Sequence, residues 1–339
     1  LFPGGGLTGD RGLLTYIDAH NHLVGRFRSP VGSLQLDYEG AARAALATMR
    51  SLGIEKMLIM PPPFPPDHPH RYEIDDLIDV VRRYAEHFAL LGGGGTLNPL
   101  IQQALRQGKA TSEIRARFER EALEILSKGA VGFGEMAVEH LSLGPRHPYE
   151  GAPPDHPLFL LLADIAARHG VPIDIHMEAV PEEMPLPRRF RSPPNPRILR
   201  PNIAAFERLL AHNRGVKIIW AHVGWDNTGR RTVTLCAELL RRHPNLYMSF
   251  KISPRDSRPE TCPIEGGRLK AEWLELIQKF PDRFIIGSDQ FYPSPKIRRK
   301  IGPRSAEPTY HFFRLLPPAL ARRIGFENPT RIFLLRSRE

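Results

Sequence analysis

Short apolar runs alternate with longer amphipathic stretches along the whole chain. The apolar runs are typical of strands, and eight of them recur, at 14–18, 56–60, 88–97, 130–135, 171–176, 216–222, 246–252 and 283–289. In the stretches between them, apolar residues repeat with the 3.6-residue period of an α-helix. The clearest of these stretches are 38–52, 74–87, 114–126, 158–168, 203–212, 232–242 and 269–280. The pattern therefore predicts repeated β–α units.

Nearly continuous apolar strands that alternate with helices predict a parallel sheet covered by helices. Eight units favour an α/β fold of the (β/α)8 TIM-barrel type, with an open doubly wound sheet as the alternative. No segment has the composition of a linker, so we predict a single domain over residues 1–339. Proline-rich stretches near 61–72 and 178–201 each follow a strand, and we expect them to be enlarged loops at the active face.

The overall charge changes this picture little. The net charge is +10, but the basic residues are spread over the predicted helices and are dense only at 187–191 and 296–300. They form no aromatic-interleaved stripe of the kind that binds nucleic acid, and no apolar run is long enough to span a bilayer. We expect a small-molecule substrate, no nucleic-acid or membrane partner, and leave a homo-oligomer open.

The two cysteines fit neither a disulfide framework nor a C-x-x-C site. The chain begins at Leu1 rather than at Met, so the compartment stays open. A cytoplasmic location is favoured, and export after removal of a leader is the alternative.

Two histidines end the first predicted strand, in the sequence Asp18-Ala19-His20-Asn21-His22. Residues at i and i+2 of a strand share a face, so both imidazoles can point to one ion at the mouth of the barrel. A second pair, His68 and His70, lies in a proline-rich loop with no strand to orient it. We do not expect that pair to bind a metal.

Candidate ligands recur at the same end of later strands. His176, His222 and Asp289 close the fifth, sixth and eighth predicted strands. For His222 alone, a buried core histidine is the simpler interpretation. The full set favours a metal site, because a barrel carries its chemistry at the carboxyl ends of its strands.

Taken together, these residues resemble the amidohydrolase superfamily. Within it, they resemble the branch that contains aminocarboxymuconate semialdehyde decarboxylase and related metal-dependent hydrolases. The resemblance covers nearly the whole chain. It rests on the D-A-H-N-H opening, the two strand-end histidines, the G-S-D at 287–289 and the closing segment 327–333, which is similar to the branch's N-P-x-R-x-F signature.

The resemblance implies that His20, His22, His176 and Asp289 hold a divalent ion, most often zinc, which makes hydroxide available near neutral pH. It also implies a catalytic role for Asp289, which accepts the proton of the attacking water. His222 would then either polarise the substrate carbonyl or bind a second ion.

Glu135, at the end of the fourth predicted strand, resembles the glutamate that bridges two metals in TatD-type hydrolases. It departs from the decarboxylase-like pattern and therefore favours a site with two ions. The alternative is that Glu135 orients a ligand histidine by accepting its N–H. Glu178 is expected beside the site rather than as a ligand.

The leading hypothesis is a metal-dependent hydrolase that acts on an amide, lactone or ester of a small substrate, which could be acidic. Non-oxidative decarboxylation is the alternative, and a TatD-like nuclease and a non-catalytic barrel are weaker ones. Lys251 and Ser249 could contact a substrate oxyanion, but a lysine at a barrel rim is as often solvated, and we assign them no role. The arginines at 188, 189 and 191 could form a lid that recognises a carboxylate, and a solvated loop is the favoured interpretation. The glycines at 92–95 lack the Lys-Ser/Thr of a phosphate loop, and there is no G-x-S-x-G elbow.

Overall fold

Parallel strands form the centre of the molecule. The computed structural model describes residues 15–29, 31–144, 147–191, 194–253 and 258–335. Its central strands are β1 Tyr16–Val24, β2 Ile54–Ile59, β3 Phe88–Leu90, β4 Phe133–His140, β5 Pro172–Met177, β6 Lys217–Val223, β7 Leu246–Phe250 and β8 Phe284–Ile286. Each predicted strand has a counterpart here, although Leu14, at the start of the first one, lies outside the described residues.

Two divided strands complete the ring of pairings. After Leu91, β3 continues as Gly92–Gly93; its first piece pairs with β2 and its second with β4. In the same way, β8 pairs with β7, and its continuation Gln290–Pro293 pairs in parallel with β1. The remaining neighbours are also parallel. The predicted (β/α)8 barrel is therefore confirmed.

Helices surround the strands. They are α1 Tyr38–Leu52, α2 Ile74–Arg83, α3 Leu97–Arg106, α4 Ser112–Ser127, α5 Pro157–His169, α6 Ile203–His212, α7 Val233–Arg242, α8 Ala271–Lys279, α9 Ala306–Leu315, α10 Pro318–Arg322 and α11 Asn328–Ile332. The seven predicted helices are present with small shifts at their ends. Local signals fix these ends: Asp37 accepts a hydrogen bond from the N–H of Gly40 at the start of α1, and Gly53 ends that helix with a φ of 67°.

The third strand is shorter than predicted. The expected run 88–97 ends at Gly93, whose φ of 124° takes the chain out of the strand, and α3 begins at Leu97. The carboxylate of Glu73 accepts hydrogen bonds from the N–H groups of Gly93 and Gly95 at 3.1 Å. A Cβ on Gly95 would lie 1.8 Å from the carbonyl oxygen of Tyr72, so glycine at this position allows close packing.

A small apolar cluster fills the inside of the barrel. It joins side chains of six strands to the end of α11 and the residue after it, and consists of Ile17, Ala19, Leu58, Met60, Leu91, Ile219, Tyr247, Ile285, Ile332 and Phe333. Asn328, the first residue of α11, donates hydrogen bonds of 2.8 Å to the carbonyls of Pro281 and Phe284. The C-terminal segment therefore closes the end of the barrel at which β8 begins.

The loop after β5 carries structure of its own. Met184–Pro185 pairs with Ile198–Leu199, and a 3-10 turn spans Arg188–Phe190. Phe190 packs into a separate apolar cluster, and Arg188, Arg189 and Arg191 are exposed. The solvated interpretation does not hold for Arg189, because its Nη2 donates a hydrogen bond of 3.0 Å to Oδ1 of the buried Asn227. None of the helices in the described ranges combines the length and the apolar character that crossing a bilayer requires.

Candidate metal centre

Six predicted side chains meet at the carboxyl ends of the strands. Each is at most 6% exposed. The strand β1 provides two of them and is longer than predicted, so both lie inside the strand rather than at its end. The six are His20 and His22 from β1, Glu135 from β4, His176 from β5, His222 from β6 and Asp289, which follows β8.

One group of four ligand atoms gathers beside β1 and β8. His22 Nε2 lies 3.2 Å from Asp289 Oδ1 and 3.4 Å from Glu135 Oε2. His20 Nε2 lies 3.5 Å from the same Glu135 oxygen and 3.9 Å from the same Asp289 oxygen. These atoms all lie within 4.8 Å of one another, which is close enough to share one cation.

A second group lies on the other side of Glu135. Its Oε1 is 2.8 Å from His176 Nδ1 and 3.2 Å from His222 Nε2, and those two nitrogens are 3.1 Å apart. Glu135 therefore offers one carboxylate oxygen to each group. The grouping differs from the prediction that His176 joins His20, His22 and Asp289, because Glu135 is the fourth member of that group and His176 lies with His222.

Other buried groups contact the ring nitrogens of His20 and His22 that face away from the ligand groups. His20 Nδ1 lies 3.2 Å from Asp174 Oδ1, and His22 Nδ1 lies 2.8 Å from the carbonyl oxygen of Met60. The hydrogen bond to Met60 fixes the tautomer and the ring plane of His22, whereas His20 Nδ1 makes no hydrogen bond within the described residues. Glu178 Oε1 lies 3.6 Å from His176 Nε2, so Glu178 stands beside the group, as expected.

Lys251 is buried beside the first ligand group, although the sequence predicts no role for it. It is 2% exposed, and its Nζ lies 2.5 Å from Asp289 Oδ2 and 3.8 Å from the centre of the Trp225 ring. Ser249, two residues earlier, is also buried, and its Oγ makes no hydrogen bond within the described part of the chain. A lysine at a strand end is usually solvated, so sequence alone gave no sign of this burial.

Both carboxyl groups of the centre are held ionised. Burial alone would raise the pKa of Asp289, but the charge of Lys251 and the nearby histidines hold that pKa well below its usual range. Burial opposes ionisation of Glu135 as well, and there His20, His176 and His222 lower the pKa well below its usual range. The centre therefore presents carboxylate oxygens, which accept protons or bind cations.

The surroundings shift the pKa values of the two histidines of the second group in opposite directions. Burial, and then the charge of Lys251, lowers the pKa of His222 well below its usual value, which favours the neutral imidazole that metals bind. Burial would also lower the pKa of His176, but Glu135 and Glu178 raise it to about 9. A cation bound beside Glu135 would compete with that proton.

Two of the six residues have a left-handed backbone. The φ of His222 is 71° and the φ of Asp289 is 54°. Non-glycine residues are uncommon in this region, and they concentrate at functional sites, where the surrounding structure holds the strained conformation. Both side chains belong to the ligand groups: His222 Nε2 faces Glu135, and Asp289 Oδ1 faces His22.

The donor set fits divalent metal ions. His20 Nε2 is buried and makes no hydrogen bond within the described residues, although it faces two carboxylates. A cation between these groups would satisfy the nitrogen and offset the carboxylate charges. Imidazole and carboxylate ligands suit zinc, and one shared carboxylate can bridge two ions. His68 and His70 belong to neither group.

Comparison with known proteins gives one family and a shared fold. A family model described as amidohydrolase matches residues 17–335. The apo structure of a protein from Agrobacterium tumefaciens is 15% identical, with a TM-score of 0.51, and the match covers 95% of this chain and 94% of that one. None of the curated proteins matches the chain.

Two further solved structures have similar folds. A probable 2-pyrone-4,6-dicarboxylic acid hydrolase from Acinetobacter baumannii, with citric acid bound, is 11% identical; the TM-score is 0.50 and the match covers 94% of this chain and 99% of that one. A structure from the engineering of organophosphate hydrolysis on a weak promiscuous lactonase is 17% identical, with a TM-score of 0.51, and covers 94% and 95%. At these identities the likeness shows the fold alone.

Proposed function

The chain belongs to the amidohydrolase family, and on that premise we propose that it uses two divalent metal ions to hydrolyse an amide, lactone or ester of a small substrate. One observation carries the proposal: the two oxygens of Glu135 face two separate groups of ligand atoms. A role that only orients a histidine would need one of these oxygens. The position of Glu135 between the two groups favours a carboxylate that bridges two ions.

In this proposal His20, His22, Glu135 and Asp289 hold one ion, and Glu135, His176 and His222 hold the other. Divalent ions bound there would lower the pKa of water and polarise a substrate carbonyl. We expect zinc, because its ligands in catalytic sites are imidazole and carboxylate groups. The six side chains are buried, so few water molecules compete for these positions.

The chain's own proton acceptor is Asp289. Its Oδ2 is held by Lys251, so its Oδ1 remains directed into the first group. The charge of Lys251 weakens Asp289 as a base and at the same time keeps it ionised. We propose that Asp289 takes up the proton that water loses on attack, and that Lys251 fixes the carboxylate in the orientation this requires.

Elemental analysis of the purified protein tests the centre, and a panel of lactones, esters and amides tests the activity. Lactones come first, because two of the similar structures are described as a 2-pyrone hydrolase and a lactonase template. Acidic and neutral members are paired, so that the panel shows whether the substrate is acidic. We expect about two ions per chain, and turnover that chelation abolishes and added metal restores.

Glu135→Gln is the matched control, because it keeps the shape of the side chain and removes the charge that both groups share. It should lose bound metal and turnover together. A protein that retains two ions yet hydrolyses nothing on the panel would contradict the proposal. Release of CO2 from an acidic substrate without oxidant would favour the decarboxylase alternative instead.

A further inference from the structure

We infer that Arg231 is a positioning residue for the second ligand group: it holds His176 and His222 in place through the backbone carbonyls beside them. The inference rests on the proposed metal centre and deepens it. Arg231 lies outside both ligand groups, nine residues beyond His222, in the loop before α7.

The backbone ladder between β5 and β6 stops just before the two histidines. Its last pair is Ile175 with Trp220, so His176 and His222 both lie beyond the paired part of these two strands. The left-handed φ of 71° at His222 also takes that residue out of regular strand geometry. Buried carbonyl groups of the two strands beyond this last pair need hydrogen-bond donors from elsewhere.

Arg231 supplies these donors. It is 1% exposed; its Nη1 donates to the carbonyl of Ala221 at 2.5 Å, and its Nη2 donates to the carbonyl of Met177. Ala221 immediately precedes His222, and Met177 immediately follows His176. One planar guanidinium thus bridges the two strand ends at the point where the ladder between them is missing.

Further contacts hold Arg231 in place. Its guanidinium lies 4.5 Å from the centre of the Trp220 ring, and Trp220 Nε1 donates to the same Met177 carbonyl at 2.8 Å. The buried carboxylate of Asp226 accepts a hydrogen bond from the backbone N–H of Arg231 at 2.8 Å. A buried arginine is costly unless its charge is balanced, and Asp226 and Glu178 lie close enough to do so.

The first ligand group has a separate support. Asp18 accepts hydrogen bonds from the backbone N–H of Ser288 at 2.9 Å and from its hydroxyl at 2.5 Å, and Asp289 N donates to the carbonyl of His20 at 2.9 Å. These contacts join β1 to the end of β8 and do not involve Arg231. Loss of the guanidinium should therefore weaken one ion position and leave the other intact.

Zinc titration followed by elemental analysis tests the inference on the full chain. In Arg231→Met we expect one tightly held ion per chain, with the affinity for the second reduced by about 10- to 100-fold. Arg231→Lys should fall between Met and the native residue, because an ammonium can satisfy one carbonyl but cannot bridge both. Substitution of Zn²⁺ by Co²⁺ gives a second readout, since the absorption of the His176–His222 position should change selectively.

Leu209→Ala controls for general destabilisation. Leu209 is a fully buried residue of α6 and belongs to neither ligand group, so this variant should melt at a lower temperature and still bind two ions. If Arg231→Met fails to fold, Arg231→Lys decides the question. Unchanged affinity for the second ion in whichever variant folds, or equal loss of both ions, overturns the inference. A native protein that binds fewer than two ions would instead refute the metal centre itself.

Discussion

Glu150 should make the stability of the protein fall as pH rises. It begins the short strand Glu150–Gly151, which pairs with the end of β4, and it is fully buried. Its Oε2 accepts a hydrogen bond of 2.8 Å from Asn98, while Oε1 makes none within the described residues. Burial raises the pKa of this carboxyl from 4.5 to about 8, and the hydrogen bond from Asn98 only partly opposes the rise.

The sign of the effect follows from the protonation of Glu150 in the folded and the unfolded protein. Between pH 4.5 and about 8 the folded protein keeps the proton on Glu150, whereas the unfolded chain loses it. The free energy of unfolding therefore decreases with pH across this window, by about 1.4 kcal/mol per pH unit and on the order of 5 kcal/mol in total. Glu150→Gln cannot ionise and keeps the shape of the side chain, so its advantage over the native protein should grow with pH and level off above about 8.

Urea unfolding of both proteins at about pH 5, 6.5, 8 and 9, in the same metal state, measures this difference. Glu86→Gln is the control, because Glu86 is exposed and its replacement should change stability little at any of these pH values. A difference between native protein and Glu150→Gln that stays constant over the whole range would refute the reasoning.

Three further changes test other parts of the structure. Chelation should lower the melting temperature of the native protein but leave that of Glu135→Gln nearly unchanged, because bound ions stabilise only a chain that binds them; equal shifts would contradict this. Lys251→Met removes the cation 2.5 Å from Asp289, so burial should raise the pKa of Asp289. On acidification, this variant should release its metal at a higher pH than the native protein does, and measuring the bound metal at a series of pH values tests this. Asn328→Ala leaves two carbonyls without their donor, so denaturant unfolding should show a free energy of unfolding lower by about 1–3 kcal/mol, with metal content unchanged. A change near zero would contradict the role assigned to this side chain.

The alternation of apolar strands and amphipathic helices was enough to predict the barrel, because the periods of the two elements differ and eight units repeat. It did not predict where the third strand ends. The apolar run continues through Leu97, but the turn at Gly93 is fixed by hydrogen bonds to Glu73, which lies twenty residues earlier. A contact between residues so far apart in the sequence does not affect the local period of apolar residues.

The candidate site was predictable for a related reason. A barrel brings the carboxyl ends of its strands together, so strand-end histidines and acids can be expected to meet. How they divide into groups depends on strand register and on the backbone at His222 and Asp289, which one sequence does not contain. Lys251 and Arg231 were missed because both residue types are usually solvated, and the partners that bury them lie elsewhere in the sequence.

The position of Ile332 and Phe333 inside the barrel has a consequence for synthesis in the cell. Strands made early cannot complete their packing until residues near the far end of the chain have left the ribosome. The barrel should therefore reach its native state only after translation of this segment, and a nascent chain that stalls before α11 would leave the interior of β1 and β2 open to water. Such a chain would be a substrate for chaperones and proteases rather than a partly active enzyme.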